Sequence, residues 1–165
     1  LIACGEMGAV ECKGGGFAAE LTSATARLDA PVAPETSPDC RAALGDRQCR
    51  VDLAPLTHIA TVHSGHERSV TVETPIAEAV YAFGSLRILS GPMCGDRYLI
   101  RAQSGQQLTL ASDLPEALAG GERICLIQGC DKRFATCASR FGNARNFRGE
   151  PHLPGMDYIT RYPGQ

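Results

Sequence analysis

The chemistry on offer in this chain is sulfur chemistry: eight cysteines stand among 165 residues, at Cys4, Cys12, Cys40, Cys49, Cys94, Cys125, Cys130 and Cys137. An even count permits disulfides in an oxidising compartment, whereas reduced thiolates are soft ligands for zinc or iron-sulfur centres. Two pairs stand apart, Cys40-x8-Cys49 and Cys130-x6-Cys137, each beside glycine in a loop or short-helix setting. Loop backbone can bend four thiolates around one centre. These spacings are wider than the two-residue spacing of a zinc knuckle, so by themselves they leave a shared metal site, free core thiols and disulfides all open. The other four read as ordinary thiols. Cys125 lies in a strand and is expected to pack into a sheet face as a small hydrophobe. Cys94 sits in an exposed Gly-Pro-Met-Cys-Gly turn, and Cys4 and Cys12 lie across a hairpin where oxidation could join them. His58, His63 and His66 lack paired spacing on a helix and read as surface histidines.

The elements that must position these sulfurs are mostly short strands. Phe17, Ala19 and Leu21 alternate after Gly14-Gly15-Gly16, which predicts a hairpin, with a helical turn or two from Thr22 to Leu28. Three prolines between residues 29 and 39 make a connector. Pro38 to Leu44 reads as a short helix capped by Asp39 and stopped at Gly45. Strands are predicted at Ser69–Glu73, Leu86–Leu89, Tyr98–Arg101, Gln107–Leu110 and Arg123–Ile127, and a helical turn at residues 75–81, where Pro75 suits a helix start. The fold class that follows is mainly β, a small barrel or sandwich of short strands with a cysteine-anchored irregular C-terminal extension. Three parts are expected: 1–36, the end of a β-unit and a linker; 37–129, a cysteine-bearing short helix followed by a small barrel; and 130–165, a cysteine-rich aromatic wrap with one helical turn near Arg133–Phe141.

Composition narrows the function. A net charge of -2 gives no overall pull toward nucleic acid or acidic lipid, and no apolar run approaches the length of a spanning helix. Residues 130–165 carry six Lys or Arg against three Asp or Glu, and five of the nine aromatics. That tail suits stacking on single strands, but burial of its aromatics and exposure of its arginines is the better reading, so no specific nucleic-acid binding is expected. There is no Gly-x-Ser-x-Gly elbow, phosphate-binding glycine loop or His-Glu-x-x-His, which predicts a non-enzymatic protein.

The run Gly129-Cys130-Asp131-Lys132-Arg133-Phe134-Ala135-Thr136-Cys137, continuing through Arg140-Phe141-Gly142-Asn143 and Asn146 to Gly155, resembles the C-terminal signature of a phage-type tail tip or baseplate hub family. That family includes the hubs of gene transfer agents and of siphophage-like prophages. The segment Cys40 to Leu53 is similar to the same family's upstream cysteine motif, with Arg50 standing where the family carries glycine.

The resemblance implies a virion structural protein that joins the tail tube to a host-contacting fibre or spike. It implies a homo-oligomer, a trimeric ring, assembled in the bacterial cytoplasm into a tail particle through which DNA passes. It also implies that Cys40, Cys49, Cys130 and Cys137 hold a [4Fe-4S] cluster, with zinc, or an empty site in an isolated piece, as alternatives. Because the chain opens at Leu1, it is expected to be the C-terminal portion of a longer hub. Phe134, Phe141 and Phe147 would then shield the sulfurs, and amides near Gly129 and Gly142 would donate hydrogen bonds to them. Two other readings remain beside it: an electron-transfer or redox-sensing iron-sulfur protein, and a secreted disulfide-bonded binding domain.

Overall fold

The computed structural model describes residues 5–13, 16–23, 25, 35–77 and 80–153, and the chain divides into two compact units, Leu1–Thr36 and Ser37–Gln165. In the first, β1 (Gly5–Lys13) pairs antiparallel with β2 (Gly16–Ser23) in a register that ends at Lys13 opposite Gly16, as the glycine run predicts. A bulge between Met7 and Val10 restores the alternation, so Met7 faces Leu21 and Val10 faces Ala19. The helical turn expected from Thr22 begins instead with strand residues Thr22 and Ser23, and Ala26 to Leu28 lie outside the described residues.

The second unit is a closed six-stranded barrel. Its strands are β3 (Thr57–His66), β4 (Ser69–Val72), β5 (Ser85–Ile88), β6 (Arg97–Ser104), β7 (Gln107–Leu110) and β8 (Arg123–Ile127), in the spatial order β3-β4-β7-β6-β5-β8, with β8 closing on β3. Closure leaves no exposed sheet edge in the ring. Alternation does the sorting. In β4, β5, β7 and β8 every second residue points inward, which buries Val70, Val72, Leu86, Ile88, Leu108, Leu110, Ile124 and Leu126 essentially completely. β3 carries only Ala60 and Val62 as buried apolar residues, so its signal in the sequence is weak, yet it pairs with both β4 and β8.

Two predicted helices are absent. Residues 40–49 form turns: the amides of Cys40 and Arg41 bond to the carbonyls of Lys132 (2.8 Å) and Arg148 (3.1 Å), and the Ala43 amide, the first that would bond within a helix capped at Asp39, is taken by the Asp46 carboxylate. Asp46, not Asp39, is the side chain that organises this loop. Its carboxylate accepts from the amides of Ala43, Gln48 and Cys49 at 2.7, 2.8 and 2.6 Å. The described residues of 75–81 form no helix either. The helical turn expected near Arg133–Phe141 is present as α1 (Phe134–Ser139). Asp131 starts it by accepting from the Arg133 amide and the Thr136 hydroxyl.

Candidate functional site

Cys40 and Cys49 lie on the 37–50 loop and Cys130 and Cys137 on the segment that follows β8, and the two segments are hydrogen-bonded to each other beside these cysteines. Cys49 and Cys137 are buried; Cys40 and Cys130 are half-buried. Burial pushes the Cys137 thiol upward, and the charges of Cys130, Cys40 and Cys49 push the same way, so this one sulfur senses the other three. Cys130 is likewise raised by burial, opposed first by a hydrogen bond from the Lys132 amide. Such thiols resist becoming thiolates unless a cation supplies the missing charge.

Donors are aimed at the sulfurs. The Arg148 amide points at the Cys40 Sγ at 3.3 Å, and the Asn143 side-chain amide reaches the Cys49 Sγ at 3.7 Å and the Cys49 carbonyl at 2.6 Å. The Cys137 thiol is instead a donor, to the Asn143 carbonyl at 3.4 Å. Of the amides expected near Gly129 and Gly142, that of Gly129 itself bonds to the Val80 carbonyl, while the donors that reach sulfur there are the Lys132 amide and the side chain of Asn143. The actual donors, on Lys132, Asn143 and Arg148, carry no sequence signature, since two are backbone groups whose direction only the fold decides.

The two halves of the site are stitched together independently of sulfur. Glu150 accepts from the Arg41 guanidinium and the Ser37 amide, and the Glu150 amide bonds back to the Ser37 carbonyl. Lys132 Nζ donates to the Ala42 carbonyl. Arg140, on the far side of α1, anchors this helix to the barrel through the carbonyls of Val80 and Gly129 and the side chain of Gln128. Phe134 packs edge-on against Phe147, with ring centroids 5.1 Å apart, while Phe141 lies under the Arg140 guanidinium. Two surface grooves of about 330 and 460 Å³ flank Cys130 and share Phe83, Leu99 and Lys132.

The donor set is all thiol, the chemistry of soft-metal and iron-sulfur sites. Among the described residues no three His, Cys, Asp or Glu side chains are placed to hold one metal ion. In a [4Fe-4S] cube each cysteine binds a different iron, so the four sulfurs stand wider apart than around one ion. Three of the four free thiols, those of Cys40, Cys49 and Cys130, are met by N–H groups, which is the kind of hydrogen bonding that iron-sulfur ligands use.

The remaining cysteines and histidines lie elsewhere. The six described cysteines form no disulfide with one another. Cys94 is exposed in its turn, as expected. Cys125 is not in the core: it alternates with buried Ile124 and Leu126 and is half-buried on the outer face of β8. Cys4 and the side chain of Cys12 lie outside the described residues. His58, His63 and His66 are exposed along β3.

Comparison with known proteins bears out the family resemblance. Residues 1–52 match the family model described as "Baseplate hub protein, N-terminal attachment domain", and residues 79–157 match that described as "Phage conserved hypothetical protein BR0599". Cys40 and Cys49 fall in the first matched segment, Cys130 and Cys137 in the second. A chain of the solved structure "Virion of native gene transfer agent (GTA) particle" is 32% identical, with a TM-score of 0.79 and 99% of the present chain covered. The present chain spans 60% of the length of that one. Among curated proteins no match is found. In sequence and fold the chain is thus similar to phage-type tail proteins. Within that class, the resemblance is to the baseplate hub family.

Proposed function

We propose that this chain is a structural component of a phage-like tail tip, part of a baseplate hub, in which four cysteines hold a [4Fe-4S] cluster as a clip. The observation that carries the reading is the docking of the Cys40–Cys49 loop onto the segment with Cys130 and Cys137, with the Arg148 amide on the Cys40 sulfur and the Asn143 side chain on Cys49, in a fold similar to that of a gene transfer agent virion chain. The cysteine pairs flank the barrel in sequence, so a centre bound by all four ties the barrel's entry to its exit. Structural metal sites contribute about 10–16 kcal/mol of apparent binding energy where zinc has been measured, against domain stabilities of about 5–15 kcal/mol. A cluster of comparable strength would decide whether the segment after β8 stays docked. Cys40, Cys49, Cys130 and Cys137 would supply the thiolates, and the N–H groups of Lys132, Asn143 and Arg148 would stabilise their charge.

In this reading the protein works in a virion or tail particle, as a homo-oligomeric ring of three-fold symmetry between the tail-tube and tail-fibre proteins, without catalysis. No helix among the described residues is long and apolar enough to cross a membrane. The test is anaerobic purification with iron and sulfide analysis of the wild type beside Cys130→Ser. About four irons per chain and a brown chromophore, both lost in the variant, are expected. An iron-free wild type, or an unchanged iron content in the variant, would overturn the assignment.

A further inference from the structure

One residue bridges both cysteine pairs without being a ligand. The backbone of Asn143 is tied to Cys137: its amide donates to the Cys137 carbonyl at 2.9 Å, and its own carbonyl meets the Cys137 sulfur. Its side chain is tied to Cys49, through the carbonyl at 2.6 Å and the sulfur at 3.7 Å. The amide's orientation is itself fixed, because Asn146 Nδ2 donates to Asn143 Oδ1 at 2.7 Å. An N–H then has to face Cys49, since the oxygen end of the amide is occupied. Asn143 follows the left-handed Gly142, at φ 58°, which turns the chain back from α1 so that the side chain can reach the 37–50 loop.

We infer that Asn143 is a positioning residue of the cluster site, setting the separation of Cys49 from Cys137 and stabilising the Cys49 thiolate with an N–H. The inference rests on the cluster reading above and adds a specific role to it. Hydrogen bonds to ligand sulfur favour the reduced, more negative cluster, so a donor here raises the reduction potential. Replacing the amide by a group without donors lowers it.

The experiment compares wild type, Asn143→Leu and Asn143→Asp, each reconstituted anaerobically with iron and sulfide, by redox titration and by the rate of iron loss to a chelator. Asn143→Leu is expected to load iron, with a more negative midpoint potential and faster iron loss. Asn143→Asp, which puts an acceptor and a charge beside Cys49, is expected to shift further or to load less. Asn146→Ala, which removes only the group orienting the amide, carries the test if the Asn143 variants do not fold; a smaller shift in the same direction is expected. Potentials and iron-loss rates equal to wild type in all folded, loaded variants would overturn the role of Asn143 alone. Absence of iron from the wild type would overturn the cluster reading and this inference together.

Discussion

The Arg41 guanidinium grips both carboxylate oxygens of Glu150, each at 2.8 Å, across 109 residues of sequence. This fork closes the loop that carries Cys40 and Cys49 onto the segment that carries Cys137. The Arg41 hydrogen bond, followed by that from the Ser37 amide, holds the Glu150 carboxyl at about 2, below its ordinary 4.5. Because the folded value lies below the unfolded one, the ionised carboxylate favours the fold above the ordinary value. That contribution fades as pH falls from there through about 2. Thermal melting should therefore show an acid-labile component. Glu150→Gln should melt lower than wild type at neutral pH and lack that component; identical pH profiles would remove Glu150 from the clamp.

The backbone at Arg50 carries a second expectation. Arg50 has φ 62°, the left-handed region that favours glycine, directly after Cys49. An L side chain there costs ~1–2 kcal/mol, while glycine costs ~0.5–1 kcal/mol in unfolded-chain entropy. Arg50→Gly should thus stabilise the chain by about 0.5 kcal/mol in denaturant unfolding. A clear loss of stability would show that the Arg50 side chain contributes more than its contact with the Arg47 carbonyl.

Packing around Cys130 is tight on its N-terminal side. A methyl group at Gly129 would run into the Ala82 carbonyl and the Gly84 amide, both backbone and unable to swing away. Gly129→Ala should cost at least the ~1–3 kcal/mol typical of overpacking. It should also lower iron loading, since relief of the clash must displace the residue next to Cys130. Full loading with wild-type stability would mean that the chain there yields easily.

Core and surface leucines offer a contrast within one barrel. Leu86 is fully buried, whereas Leu99, on the neighbouring strand, is 66% exposed. Leu86→Ala should lose about 2–5 kcal/mol, and Leu99→Ala should stay within about 0.5 kcal/mol. Equal losses would place Leu99 in a packed environment absent from this fold.

The cysteines themselves should fall into two groups. Serine at 40, 49, 130 or 137 should each reduce bound iron, while Cys94→Ser and Cys125→Ser should leave it unchanged. Iron loss on replacing Cys125 would implicate the outer face of β8.

What the chain wrote locally, the sequence determined: a mainly β fold, the strands whose apolar residues alternate, the hairpin at the glycine run and the turn of helix after Cys130. Periodicity of two is a property of neighbours along the chain, so it survives in one dimension. The two cysteine pairs are read from their loops and from motifs resembling the hub family. The tertiary structure decided the rest. β3, poor in large apolar residues, becomes the closing strand because β4 and β8 supply partners on both sides. The 37–50 loop is held to the segment after β8 by distant carbonyls that take the amides of Cys40 and Arg41. The choice of Asn143 and Arg148 as groups around the sulfurs follows from where the backbone folds back, and a hydrogen bond between residues ninety or more positions apart leaves no local periodicity to read.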